Sequence, residues 1–142
     1  MRLAKMSVAE LTGFLRHEFP QTFGTGEITI EHADGNTCLL RQRYDDKMLR
    51  PGGTVSGPTL MGLADCAMYV VLLSAIGPVA LAVTTSLNIN FLRKGEPGHD
   101  VLAAARLMKL GKRLAIGEID LLSGKSPDPI AHATATYSIP NT

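Results

Sequence analysis

The sequence predicts an α+β fold in which one curved antiparallel sheet wraps around a single long central helix. An uncharged run from Cys66 to Val83 continues a helix that is apolar nearly all round, and such a helix has to be buried. Segments of alternating polarity lie on both sides of it in the chain and are joined by short turns, which favours antiparallel pairing. A sheet that must cover a fully apolar helix curves around it.

The N-terminal part predicts a helix followed by a hairpin. Residues 7–19 carry apolar side chains at helical spacing, Ser7 and Glu10 have the spacing of a capping box, and Pro20 ends the helix. The Asp-Gly pair at 34–35 is typical of a hairpin turn. The strands on either side of that turn are predicted at 26–33 and 36–43.

The central helix is predicted over 58–76. The loop at 50–57 holds three glycines and a proline, Pro58 suits the first helical position, and the Gly-Pro pair at 77–78 stops the helix. About 20 apolar residues would span a bilayer, but the break and Asp65 near the head of the run favour a helix buried in the protein. Four strands are predicted after it, at 82–92, 101–110, 112–122 and 130–139.

Composition excludes several classes of protein. Lys and Arg total 14 and Asp and Glu total 13, so the chain lacks the positive charge that a nucleic-acid binder needs. A chain of 142 residues predicts one domain over 1–142. Cys38 and Cys66 are too few for a disulfide scaffold and predict reduced thiols.

Charged residues occupy the place of a signal peptide's apolar stretch, so a cytoplasmic protein without membrane contact is expected.

Common catalytic motifs are absent from the sequence. There is no P-loop, HExxH or GxGxxG pattern, and the serine in the segment 53–57 is displaced by one position from a nucleophile elbow. The histidines are scattered without metal-ligand spacing, at His17, His32, His99 and His132. No metal or redox cofactor is therefore expected.

Two residues around the central helix are candidates for chemistry. A carboxylate on an apolar helix is costly to bury unless it is paired or functional, so Asp65 is either a general base or nucleophile, or a solvated helix residue. Gly57 lies where free N–H groups and the helix dipole point outward. It could hold an oxyanion, or it could be a plain loop glycine.

The spacing of these two residues has a geometric consequence. Eight residues of helix separate Gly57 from Asp65 by about 12 Å, so one carbonyl group cannot contact both within one chain. If both act, the site lies at a two-fold interface and the protein is an obligate homodimer. Open sheet edges make edge-to-edge pairing a plausible way to form it.

The segment Arg-Pro-Gly-Gly-Thr-Val-Ser-Gly-Pro at 50–58, followed by Leu-Ala-Asp-Cys-Ala at 63–67, resembles the hot-dog fold acyl-CoA thioesterases of the phenylacetate-pathway, PaaI-like type. The strand 84–91 and the Gly-Lys-Arg-Leu-Ala segment at 111–115 look similar as well. The resemblance implies the hot-dog fold, hydrolysis of an acyl-CoA to free acid and CoA, no cofactor besides the CoA of the substrate, and a homodimer, often paired into a homotetramer.

For the catalytic residues, the resemblance implies that Asp65 is base or nucleophile, that the Gly57 N–H holds the oxyanion, and that Thr84 hydrogen-bonds the carboxylate or the water. Two positions depart from the family. Ser56-Gly57-Pro58 replaces His-Gly-Gly, and Arg50 replaces an Asn that helps to place water. Arg50 favours the alternative, a non-catalytic acyl-CoA binding or sensing protein, and a structural subunit without a small ligand is a third possibility. The absence of His from positions 33–98 argues against dehydration.

The substrate-binding candidates surround this segment. Tyr69 lies one turn after Asp65 on the same helical face, and Ser86 is predicted to share a strand face with Thr84. The basic pair at 93–94 ends one predicted strand and the pair at 112–113 begins another. Both pairs thus lie at strand ends, where they would suit CoA phosphates at a pocket mouth or remain solvated. The candidates are Arg50, Ser56, Pro58, Tyr69, Ser86, Arg93, Lys112 and Arg113. An apolar acyl pocket is predicted from Met61, Met68, Tyr69 and Leu72, which leaves the acyl group open.

Overall fold

The two long helices lie where the sequence predicts them, and the structure adds one short α-helix and a 3₁₀ turn over Asp46–Met48. In the computed structural model, which describes residues 1–124 and 126–141, α1 spans Val8–Glu18, α2 spans Pro20–Phe23 and α3 spans Gly57–Ile76. Residues 125 and 142 of the predicted domain lie outside this description. The Ser7 hydroxyl and the Glu10 carboxylate form the capping box. α2 was not predicted: Pro20 ends α1 but occupies the first position of a further helical turn.

The main strands form one six-stranded sheet in which every neighbouring pair is antiparallel. They are β1 (Ile28–Ala33), β2 (Thr37–Gln42), β5 (Val83–Phe91), β6 (Val101–Leu110), β7 (Leu114–Ser123) and β8 (Ala131–Ser138), with β3 (Leu49–Arg50) and β4 (Thr54–Val55) between β2 and α3. The spatial order is β1-β2-β6-β7-β8-β5. This arrangement around α3 is the predicted hot-dog fold, and the edges of the sheet are β1 and β5.

The glycine-rich segment before α3 is not the plain loop that the sequence predicts. β3 and β4, each two residues long, form a short hairpin in which Arg50 pairs with Thr54 across a three-residue loop. Gly52 and Gly53 make its turn with φ of +99° and +76°, a backbone conformation in which a Cβ would be strained. The hairpin fixes the approach of the chain to the start of α3.

The helix α3 is the core of the fold. Within the described residues it is the one helix long and apolar enough to cross a membrane, and 72% of that apolar window is buried. Small residues on the inner sheet face let the strands pack close to it: Ala103, Ala105, Ala115, Ala131, Ala133 and Ala135, each at most 2% exposed. At Gly117 a Cβ would lie 2.6 Å from the Met68 sulfur, so this crossing of helix and strand requires glycine.

Candidate active site

Asp65 lies on α3 with one carboxylate oxygen held by two hydroxyl groups. The Thr84 hydroxyl donates to Asp65 Oδ1 at 2.5 Å, and the Tyr137 hydroxyl donates to the same oxygen at 2.8 Å. The Tyr137 hydroxyl also lies 3.1 Å from the Asp65 main-chain carbonyl. Within residues 1–124 and 126–141, no hydrogen bond reaches Oδ2. One oxygen is therefore fixed and the other is left for a ligand.

Thr84 reaches Asp65 because β5 carries a β-bulge. Thr84 pairs with Tyr137 and Ser86 pairs with Thr136, so Thr85 is the extra residue between two consecutive positions of β8. Directly paired residues of antiparallel strands point to the same face, so Thr84 points inward with Tyr137. Ser86 points to the outer face, and the prediction that it shares a face with Thr84 is wrong.

Tyr137 is the site residue that sequence reasoning missed. It is 4% exposed, and burial, above all, raises the pKa of its phenol, so the hydroxyl remains a donor to the neighbouring carboxylate. The available signal was the alternation of β8, in which position 137 continues the inward series of alanines at 131, 133 and 135. A large polar aromatic residue in a series of buried alanines indicates a specific partner across the core.

Two clefts open beside Asp65, with volumes of about 330 and 220 Å³. Phe19, Asp65, Tyr69 and Tyr137 line both of them. Tyr69 stacks on Tyr137 with ring centroids 6.0 Å apart, and its hydroxyl donates to the Ala80 carbonyl at 2.8 Å. Tyr69 is therefore both a core residue and a wall of these clefts.

The other residues predicted for the acyl pocket lie elsewhere. Met68 and Leu72 are fully buried against the sheet, and Met61 is 40% exposed, because the apolar surface of α3 extends around the whole helix. The larger cleft is lined instead by Ile28 and Leu63 together with the aromatic rings. Pro58 also lines it.

Cys66 adjoins Asp65 in the same cleft. Burial and the neighbouring Asp65 carboxylate raise the pKa of this thiol to about 12. Cys38 is also free, and burial raises the pKa of its thiol to about 12. Neither cysteine therefore has the thiolate character of a nucleophile, and the reduced state of the two thiols stays a prediction.

At the start of α3, the N–H of Gly57 is left free for a ligand. The Ser56 side chain caps the helix by accepting from the Thr59 N–H at 3.4 Å, and the Ser56 carbonyl accepts from the Leu60 N–H. Pro58 has no N–H, and in the described chain no acceptor pairs with that of Gly57. A Cβ on Gly57 would lie 3.2 Å from the Phe91 ring, so the end of β5 lies against this glycine.

Gly57 and Asp65 open into different clefts. Gly57 lines one of about 410 Å³ together with Arg50, Phe91, Arg93 and Lys94, and it lines neither of the clefts beside Asp65. The eight-residue spacing along α3 explains this separation. Within one chain the two candidate catalytic groups do not meet.

The two basic pairs lie at opposite ends of the sheet, so a single chain does not bring them together. Phe91, two residues before Arg93, pairs with Ala131 at the start of β8. Leu114, directly after Arg113, pairs with Ser138 at its end. Seven residues of strand separate these positions by about 23 Å.

Comparison with known proteins identifies the family. A family profile described as "Thioesterase superfamily" matches residues 52–130. These residues include Gly57, Asp65 and Thr84. The chain belongs to the thioesterase superfamily. This thioesterase is thus an enzyme of the thioester hydrolase class, as the sequence predicts.

Individual relatives agree with this assignment. The thioesterase is 25% identical to human acyl-coenzyme A thioesterase 13 over 82% of both chains, and 30% identical to a provisionally assigned esterase of Pseudomonas aeruginosa over 72% of this chain and 75% of that one. A provisionally assigned thioesterase structure from Silicibacter sp. TM1040 superposes with a TM-score of 0.89 at 42% identity, covering 97% of this chain and 94% of that one. The Escherichia coli PaaI protein shares the fold, with a TM-score of 0.76 at 21% identity over 92% and 95% of the two chains.

Proposed function

We propose that this thioesterase hydrolyses an acyl-CoA to a free acid and CoA, with Asp65 as general base or nucleophile. The observation that carries the proposal is the asymmetry of the Asp65 carboxylate. Thr84 and Tyr137 hold Oδ1. These two hydrogen bonds fix the orientation of the carboxylate and leave Oδ2 available for water or the thioester. The substrate class is supported by the relatives named acyl-coenzyme A thioesterase 13.

Two routes use the same geometry. In the first, Oδ2 accepts a proton from water as the water oxygen attacks the thioester carbonyl, and collapse of the tetrahedral intermediate expels CoA thiolate, which takes that proton. In the second, Oδ2 attacks the carbonyl carbon and expels CoA thiolate, and water then hydrolyses the mixed anhydride. Both need a fixed carboxylate and a donor for the oxyanion.

The oxyanion donor that we propose is the Gly57 N–H of a second subunit. Among the described residues it has no acceptor, and it lies at the positive end of α3, but it is about 12 Å from Asp65 along its own helix. Arg50 lines the Gly57 cleft, so its guanidinium would enter the site with that glycine, at the position where the resemblance to PaaI-like thioesterases implies an Asn. There it can hold a polar group of the substrate.

The edge strand β5 supplies a way to bring the two halves together. Its Thr84 end is bonded to Asp65, and its Phe91 end lies against Gly57. If two copies of β5 pair antiparallel about a two-fold axis at Asn88, position 87 faces position 89 of the partner. Because the bulge at Thr85 shortens the ladder by one position, Thr84 then faces Phe91 of the other copy. Each Asp65 thereby meets a Gly57 from the second subunit.

The same pairing would join the two basic pairs. It places Lys112 and Arg113 of one subunit at the same end of the joined sheet as Arg93 and Lys94 of the other. Both pairs are exposed, as phosphate-binding side chains at the mouth of a site have to be. Association of such dimers into a homotetramer remains a prediction from the resemblance, and a cytoplasmic location remains a prediction from the sequence.

A cysteine cross-link tests this pairing. Asn88→Cys is expected to form an intersubunit disulfide on oxidation, since directly opposite residues have Cα atoms about 4.5–5.5 Å apart, within the range that a disulfide spans. Asn90→Cys is the matched control: it has the same face and exposure, but its copy would be about 13 Å away along the strand. Non-reducing electrophoresis reads the result. Equal cross-linking of both variants, or none in Asn88→Cys, would contradict the register.

Turnover on a panel of CoA esters tests the activity itself. We expect thiol release from at least one of phenylacetyl-, benzoyl-, hexanoyl- and palmitoyl-CoA, without added metal, because the fixed carboxylate and the free N–H together suffice for hydrolysis. A thiol-reactive dye measures the rate, and calorimetry measures binding of the same esters. Clear binding without turnover of any ester would instead favour the acyl-CoA binding or sensing protein.

A further inference from the structure

The two clefts beside Asp65 are separated by aromatic rings. The larger cleft is bordered by Ile28 of β1 and Leu63 of α3, and the smaller one by Ala82 and Thr84 near the start of β5. Phe19 and Tyr69 line both clefts, so their rings stand between them. An acyl group that enters either cleft from Asp65 meets this partition.

Phe19 is the part of the partition that lacks a polar anchor. Tyr69 is tied to the Ala80 carbonyl and Tyr137 to Asp65, whereas the Phe19 ring has no polar atom and packs against the hydrophobic core. It lies 6.5 Å from the Tyr69 ring and 5.9 Å from the Phe23 ring, centroid to centroid. Its side chain is only half-buried.

The backbone, by contrast, holds Phe19 firmly at the corner between α1 and α2. Its N–H donates to the Leu15 carbonyl at 2.7 Å, and its own carbonyl accepts from the N–H groups of Thr22 and Phe23 at 3.2 and 2.9 Å. The conformation there is neither helical nor extended, with φ −133° and ψ +56°. This corner projects the ring toward Asp65 from outside the hot-dog sheet and helix.

We infer that Phe19 limits the length of the acyl group that this enzyme accepts. The inference rests on the proposed function, since it assigns the larger and more apolar cleft to the acyl group of the CoA ester. The ring closes that cleft off from the smaller one, so a short acyl group fills the space and a longer one is stopped. Removing the ring joins the two clefts without touching Asp65, Thr84 or Tyr137.

The test is an acyl-length profile of Phe19→Ala. Each methylene that finds room in an apolar site strengthens binding by about fourfold. We therefore expect kcat/KM for dodecanoyl- and palmitoyl-CoA to rise at least about tenfold relative to hexanoyl-CoA, with acetyl-CoA hydrolysis little changed. Phe19→Leu, which keeps apolar packing at the corner, should give a smaller shift in the same direction and serves if Phe19→Ala is unstable.

Phe14→Ala is the matched control, because Phe14 is a half-buried phenylalanine of α1 that lines neither cleft. Its acyl-length profile should keep the wild-type shape.

Binding of non-hydrolysable S-alkyl-CoA thioethers separates this inference from the hydrolytic proposal. Their alkyl chains have about 2 to 16 carbons, the same range as the ester panel. A shift of thioether affinity toward long chains in Phe19→Ala supports the inference even if no ester is hydrolysed. An unchanged profile in both Phe19 variants, or one changed equally by Phe14→Ala, would overturn it.

Discussion

Asp65→Asn is expected to lower kcat for CoA-ester hydrolysis by about 10² or more. The amide has the shape of the carboxylate, and its oxygen can still accept the hydrogen bonds from Thr84 and Tyr137 that hold Oδ1 in the native site. What it loses is the second oxygen, which is the group that we propose removes a proton from water or attacks the thioester. Thiol release at saturating substrate, with light scattering and thermal unfolding of the same sample, measures the change.

Asp120→Asn provides the matched control for that experiment. Asp120 lies on β7 and pairs with Ala104 and His132, in the outward series of strand positions between the buried Ile119 and Leu121. The same chemical change there should leave kcat within about twofold of the wild type, since surface substitutions far from a site rarely matter. If Asp65→Asn retained full turnover, or lost it only together with the folded dimer, Asp65 would be a structural residue.

The fold could be predicted from the sequence because its signals are local and agree with one another. The capping residue Ser7, the stop at Gly77-Pro78 and the all-apolar α3 each fix an element within a residue or two of its observed bounds. The non-local features could not be predicted in this way. β5 is followed by a turn-rich segment and then β6, yet it pairs with β8 at the far side of the sheet, which periodicity alone does not encode.

The candidate site was predictable only in part, for a related reason. Asp65 is conspicuous in the sequence because it is a charge on an apolar helix. Gly57 is conspicuous because it is a glycine at the start of that helix. Which hydroxyls reach Asp65 depends on the bulge at Thr85 and on the register between β5 and β8. Alternation counted through the bulge therefore places Ser86 on the wrong face, and the alternation of β8 marks Tyr137 as inward-facing without identifying Asp65, distant in the sequence, as its partner.

Removal of the Gly57 N–H is expected to lower kcat by about 10²–10³, the usual effect of losing one oxyanion donor. A proline at position 57 removes the N–H and suits the first turn of a helix, and Ser56 before it has the extended backbone (φ −71°, ψ +150°) that a residue preceding proline adopts. Because two successive prolines would strain residue 57, the variant is Gly57→Pro with Pro58→Ala.

Two companions isolate the N–H from the added atoms. Gly57→Ala with Pro58→Ala adds the same Cβ toward the Phe91 ring but keeps the donor, and Pro58→Ala alone reports the cost of the second change. We expect KM to change little and kcat to fall mainly in the proline variant, because the proposed oxyanion donor acts on charge that develops in the transition state. An equal loss in the alanine pair would assign the effect to contact with Phe91 instead.

Co-expression of the Gly57→Pro, Pro58→Ala chain with the Asp65→Asn chain tests whether the two groups come from different subunits. Each homodimer should be nearly inactive. After co-expression in equal amounts, an intact site combines Asp65 from a chain altered at positions 57 and 58 with Gly57 from an Asp65→Asn chain. Random pairing gives this combination in about a quarter of sites. Recovery of about a quarter of the wild-type rate is therefore expected. If both groups served one site within one chain, no site would be intact and mixing would restore nothing, so the recovered fraction decides between the two arrangements without reference to the acyl group.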